Sequence, residues 1–298
     1  MEVLLEVAHE KSSVWIDKWN TQNKIVDFKT IEKLDEGCNI FKVKMGEVNI
    51  ECTWVENQIR TSSPSHIEVT VAIFRHVLNL MKFSKNIKLD LLLDSNEVSV
   101  FPVLEGVTAT ALRGGPFDTT TVEAFCLKYP SQKSIVLVPK RSGGDLNRNS
   151  PILKVEEICF HGPEKSIPTI LESFSGRVAF FCRAQCPETS IIKFMRTWMT
   201  SSIHQSLEVL HFTLDNGFFI YPQMIIKEFE TETKTWDPTK RPENYEYDTK
   251  TIGLESIEKT INCSNFLDIE RYNDGRLASF LVTPSRFEFY VWNINCMN

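Results

Sequence analysis

The strongest constraint on this chain is a repeat. Six short apolar segments recur: Lys88–Leu92, Ala109–Arg113, Ser134–Val138, Glu157–His161, Ala179–Arg183 and Val209–Thr213. Each carries aliphatic, β-branched or aromatic residues in alternation, as a strand packed against a core requires. Aligned on Leu89/Leu91, Thr110/Leu112, Ile135/Leu137, Ile158/Phe160, Phe180/Cys182 and Leu210/Phe212, they lie 21, 25, 23, 22 and 30 residues apart. That is the period of leucine-rich repeats, in which one strand and one helix form a unit that buries its apolar side against its neighbours. Val155-x-x-Ile158-x-Phe160 and Leu207-x-x-Leu210-x-Phe212 carry the full L-x-x-L-x-L form. Where such repeats place a loop asparagine, this chain has Asp94, Gly115, Lys140, Pro163, Gln185 and Asp215, so irregular loops are expected.

Helix signals lie between the strands. Thr120 with Glu123 reads as a capping box, and Pro130 ends that helix. Ser166, Pro168 and Gly176 read as the cap, first turn and stop of a second helix. In Glu188–Met199, residues Ile191, Ile192, Met195, Trp198 and Met199 share one face, which places Trp198 in the core. Residues 66–82 form a further helix, apolar enough to cap the stack. Before it, Val14–Trp19, Ile25–Ile31, Ile40–Met45 and Val48–Val55 read as strands, with a hairpin turn at Lys44–Glu47. After the array, 230–258 reads as a polar loop, and Phe266–Trp292 as an antiparallel meander turning at Asn273-Asp274-Gly275.

The expected fold class is therefore α/β. It is a leucine-rich-repeat-like array of alternating strands and helices with a parallel sheet, an N-terminal strand-rich lobe (1–62) and a repeat domain (63–298) that ends in the meander. Composition narrows the function. Lys and Arg number 33 against 39 Asp and Glu, a net charge of −6, which disfavours a nucleic-acid partner. Eight acids and four bases in 230–258 put −4 of that charge in one loop. No apolar run reaches the length of a membrane span, and Met1–Ser13 makes a poor signal peptide, so a cytoplasmic or nuclear protein with no membrane partner is expected. The eight cysteines show no paired metal spacing and read as reduced core thiols.

Motifs for catalysis, phosphate loops or metal sites are absent, and the six histidines have no i, i+4 partner, so no cofactor, no metal and no enzyme activity are expected. Cys159 and His161 share a strand face at i, i+2, and with His211 they form the one alternative catalytic grouping. Solenoids bind through the open face of their sheet. The candidate partner-binding residues there are Asp90, Arg113, Val136, Val138, His161, Phe181, Arg183, His211 and Thr213, a mixture suited to a protein target. The competing expectation is that the chain's own loops cover that face. A docking role for Trp236, Tyr245 and Tyr247 is a further possibility within the polar loop.

Three stretches carry a family likeness: Val155-Glu-Glu-Ile-Cys-Phe160, Ile191–Met199 and Leu207–Phe212. So does the ending, Asp268-Ile-Glu-Arg271 with Asp274-Gly-Arg-Leu-Ala278 and Phe287–Trp292. Together they resemble the nematode F-box-associated type 2 domain, loosely over 14–293 and more closely over 155–213. The resemblance implies the substrate-recognition part of an F-box adaptor, a protein-interaction module that selects a target. It also implies, as the alternative, a working subunit of a cullin–RING ubiquitin ligase. No Leu-Pro F-box signature occurs; Met1–His9 is the one stretch that could supply the last turn of that helical segment.

Overall fold

The computed structural model describes residues 2–8, 11–18, 21–31, 39–45, 48–55, 58–62, 66–81, 86–139, 142–143, 145–248 and 260–293. The chain opens with strands β1 (Glu2–Ala8), β2 (Lys11–Lys18), β3 (Thr21–Thr30), β4 (Ile40–Met45), β5 (Val48–Val55) and β6 (Gln58–Thr61), then helix α1 (His66–Met81). Next come β7 (Ile87–Leu93), α2 (Ser95–Val100), β8 (Val107–Gly114), the short β9 (Phe117–Asp118), α3 (Thr119–Lys128), β10 (Ser134–Pro139) and the short β11 (Ser142–Gly143). The array continues with β12 (Glu157–Glu164), α4 (Ile167–Ser173), β13 (Val178–Ala184), α5 (Glu188–Thr200), β14 (Val209–Leu214) and α6 (Pro222–Glu228). It closes with β15 (Asn244–Glu246), β16 (Thr260–Asn262), β17 (Leu267–Glu270), β18 (Leu277–Thr283) and β19 (Arg286–Val291).

One sheet of 15 strands joins almost all of these. Its centre is parallel and runs in the order β1, β7, β8, β10, β12, β13, β14. The ends are mainly antiparallel: β19, β18 and β17 follow β14, and β2, β3, β6, β5 and β4 follow β1. All six repeat segments are strands of the parallel block. The sheet passes without a break across residue 62, because β1 pairs directly with β7. Glu2–Ala8 is thus an extended strand and not a helical turn. Its alternating Leu5 and Val7 are fully buried, which a surface helix end could not offer. The turn expected at Lys44–Glu47 joins strands that pair from Met45 to Val48; Gly46 and Glu47 lie outside the described residues, as do 249–258 of the polar loop, Cys38 and Cys296.

Helices cover one side. Leu89, Leu91, Leu112, Ile135, Leu137, Ile158, Phe160, Leu210 and Phe212 point into a core shared with Phe74 of α1, Phe125 of α3, Ile170 of α4 and Met195 and Trp198 of α5. Fully burying one such side chain stabilises by roughly 1.5–3 kcal/mol, so this side carries most of the folding energy. One register differs from expectation. Ala179 and Phe181, not Phe180 and Cys182, lie beside Ile158/Phe160 and Leu210/Phe212. The run Ala-Phe-Phe-Cys is apolar at every position because both faces of β13 are buried, so alternation carries no sign there.

Local chemistry sets the helix starts. Asp118, not Thr120, caps α3: its carboxylate accepts from the Thr121 amide at 2.7 Å. Asp94 and Glu97 form a reciprocal capping box on α2, a helix too short for a periodic signal. Ser166 precedes α4, but its hydroxyl accepts from the Leu146 amide instead of the helix. Gly176 does not stop that helix through a left-handed turn. A side chain there would come within 2.2 Å of the Val155 carbonyl, so glycine permits the close approach of two chain segments.

A buried ion pair ties the polar loop to the meander. The Arg241 side chain is 0% exposed and Asp268 4%. The Arg241 Nε donates to both Asp268 oxygens at 3.0 Å, and its Nη2 also donates to the Cys263 carbonyl at 2.9 Å. Ser279 donates to Asp268 at 2.6 Å, the Trp292 indole donates to Ser279 at 2.7 Å, and the guanidinium lies 5.0 Å from the Trp292 ring centroid. Breaking one side of such a pair strands a charge. Arg241→Met is expected to cost about 3–5 kcal/mol in urea unfolding, and Arg241→Met with Asp268→Asn distinctly less than the sum of the two single changes.

Candidate functional site

The side of the sheet opposite the helices is built from rows of side chains that run across the strands. The middle row is Glu6, Asp90, Ala111, Val136, Cys159, Phe180, His211, Glu288 and Leu281. Above it, toward the C-terminal ends of the parallel strands, lie Leu92, Arg113, Val138, His161, Cys182 and Thr213. Seven of the nine expected site residues therefore share this face: Asp90, Arg113, Val136, Val138, His161, His211 and Thr213. Phe181 does not. It packs among the helices, edge-on to Phe160 at 5.5 Å, because of the register at β13. Phe180 takes the outward place expected for Phe181. Arg183 is exposed beyond the end of the row, at a bulge in β13, with φ of +66°. That backbone is uncommon for arginine and marks a segment held by its surroundings. The Arg183 amide donates to Thr213 Oγ1 at 3.3 Å, and its Nε donates to Asp215 at 2.8 Å.

Much of the face is covered by the chain itself. Tyr245 and Tyr247, on and just after β15, are buried with Cys263, Phe266 and Trp292 in a second apolar cluster that contains Val136, Cys159, Phe180 and Val209. The Tyr247 ring lies 5.9 Å from Phe180, and Tyr245 lies 5.0 Å from Tyr290. The Tyr245 hydroxyl donates to the Val291 carbonyl at 3.1 Å. Arg177 closes the same edge, pairing with Glu157 and Glu208 and donating to the Asp248 carbonyl. These tyrosines serve the core and are not free to dock; Trp236 is half-buried, its indole donating to the Arg241 carbonyl at 3.3 Å.

The electrostatics of the face are subdued. Arg113 donates to Asp90 at 2.7 Å; burial raises the Asp90 carboxyl, and Arg113 opposes the rise. Cys159 Sγ lies 3.2 Å from His161 Nε2, so the two do meet as their spacing requires. Burial pushes the Cys159 thiol well above its ordinary value, the reverse of what an activated nucleophile needs. His211 is separated from Cys159 by Phe180, against whose ring it lies at 5.8 Å. Burial lowers both His161 and His211, and they sit neutral. Among the described residues no group of three or more His, Cys, Asp or Glu side chains could hold a metal ion, and the six described cysteines are free. No helix there is long and apolar enough to cross a membrane.

An accessible feature outside the repeat positions is the rim above β14. Gly217 (φ +89°) turns the chain there, and Phe218, Phe219, Tyr221 and Met224 stand out of it at 44, 69, 68 and 54% exposure. The loop is pinned on both sides: Leu214 donates to the Ser285 carbonyl, Ile220 to the Pro284 carbonyl and the Tyr221 amide to Glu188. Ile220, between the exposed rings, is buried. The sequence signal was the run Phe218-Phe219-Ile220-Tyr221 straight after an Asn-Gly turn, outside any repeat position.

The comparisons place nothing beside this chain: no family model, no curated protein and no solved structure matches it.

Burial lowers His161, His204 and His211 together. The folded state thus binds fewer protons than the unfolded chain. Stability is full above the unfolded histidine pKa of about 6.5 and is lost as pH falls below it. Urea midpoints are expected to fall from pH 7.5 to 5.5, with a shallower slope in His211→Gln.

Proposed function

We propose that this chain is a non-enzymatic protein-interaction module that holds a protein target at the rim above the parallel strands. The observation that carries the proposal is the pinned loop and the start of α6, where Phe218, Phe219, Tyr221 and Met224 are all exposed within seven residues of the chain. Soluble proteins scatter exposed apolar residues singly, whereas a cluster of large ones marks an interaction surface. Aromatics and Met are favoured there because they bury large area at small entropic cost. The loop's hydrogen bonds hold it in one conformation, so little ordering is needed on binding. Arg183 and Thr213, from the expected set, lie at the same end of the sheet and extend the surface with polar contacts.

On this reading the target meets the rim and not the broad face, much of which Tyr245 and Tyr247 cover. The seven parallel strands in chain order are consistent with a leucine-rich-repeat-like array, and the F-box-associated likeness fits a recognition role of this kind. The buried Cys159 thiol, pushed away from its thiolate form, favours binding over catalysis.

The test is affinity capture with the full chain as bait, followed by titration of the recovered protein. Phe219→Ala with Tyr221→Ala is expected to weaken binding by about tenfold or more with an unchanged urea midpoint. Undiminished binding by that variant would refute the rim. Recovery of a cullin–adaptor complex that survives the double change would instead support the ligase-subunit alternative.

A further inference from the structure

The two ends of the long sheet are finished differently. At the β17 end, Lys234 forms a bridge with Asp268, with backbone bonds of 2.9 and 2.8 Å, so part of that edge is occupied by the chain itself. At the other end, among the described residues β4 pairs only with β5, and none pairs with its outer side. Ile40 and Phe41 on β4 and Trp54 on β5 are all exposed. An open strand edge with large apolar side chains beside it is a template for a further strand.

We infer that β4 receives an extended acidic segment of another protein by strand addition. Charge selects the occupant. Ile40, Lys42 and Lys44 share one face of β4 by alternation, and Phe41 lies opposite Cys52 on the helix-side face. Lys42 reaches Glu51 at 3.0 Å in a well-exposed, weak pair, and Lys44 lies opposite Asn49 with no acidic partner among the described residues. A second copy of this chain fits badly. Antiparallel self-pairing keeps like faces together, and the two registers with the fullest overlap set Lys42 against Lys42 or Lys42 against Lys44. An incoming strand with Asp or Glu at alternate positions sets carboxylates against both lysines, with apolar residues between them on the Phe41 side.

The experiment is fluorescence anisotropy of the full chain with two short labelled peptides, one alternating Val and Glu and one alternating Val and Lys. The Val/Glu peptide is expected to bind about tenfold more tightly. Lys42→Glu with Lys44→Glu should invert the preference, and N-methylation of alternate peptide amides should abolish binding. Phe219→Ala with Tyr221→Ala should leave this binding unchanged, which separates the edge from the rim. Equal affinity for the two peptides, no binding at millimolar concentration, or wild-type dimers that involve β4 would overturn the inference. The urea midpoint of the charge-reversed chain shows that it is folded.

Discussion

A parallel sheet has two faces, and both must be covered. Helices come free with the crossovers and protect one side; the other has no local source of cover. Here the chain returns from far along its length to supply it. The Arg241–Asp268 pair fastens that return. All three guanidinium nitrogens donate, and the carboxylate is held further by Ser279, itself bonded to Trp292. With those bonds made, Tyr245, Tyr247 and Cys263 lie against Phe180, Val209 and Tyr290, and the second face becomes a core.

That arrangement explains what could be read in advance. The repeat spacing located the six parallel strands β7, β8, β10, β12, β13 and β14, because a strand feeding a helix leaves a periodic apolar mark. The helical spacing in Glu188–Met199 likewise put Trp198 inside, where it packs against Phe289. The register of β13 was hidden by the same burial that stabilises it, since Phe180 and Phe181 are equally apolar and face opposite cores. Short elements were invisible for a different reason. α2 is defined by Asp94 and Glu97 at its start and has too few turns to show a periodic face, and within Leu4–Ala8 of β1 only Leu5 and Val7 are fully buried. Tyr245 and Tyr247 looked like loop residues because their neighbours Glu243, Glu246 and Asp248 are acidic; nothing local to the loop reports the sheet that it lies on.

The residues behind the family likeness turn out to be structural. Asp268 is the acceptor for Arg241. Arg271, fully buried, lies over the Trp198 ring at 4.8 Å with Asp274 at 3.4 Å from its Nε. Phe287 and Phe289 enter the helix-side core, while Tyr290 and Trp292 enter the other. A motif of this type records how a sheet is closed. The proposed rim, Phe218 to Met224, lies outside these stretches.

The contrast between the two sheet ends gives the stack a direction. Strands in a linear array lean mainly on their neighbours, so loss of order travels from an end inward. The β17 end is stitched by Lys234 and by the buried network next to it, whereas among the described residues β4 is paired on one side only. Mechanically the molecule resembles a zipper with a stop at one end: β4, then β5 and β6, are the teeth that can part in turn, while the first strand, β1, is clasped between β2 and β7.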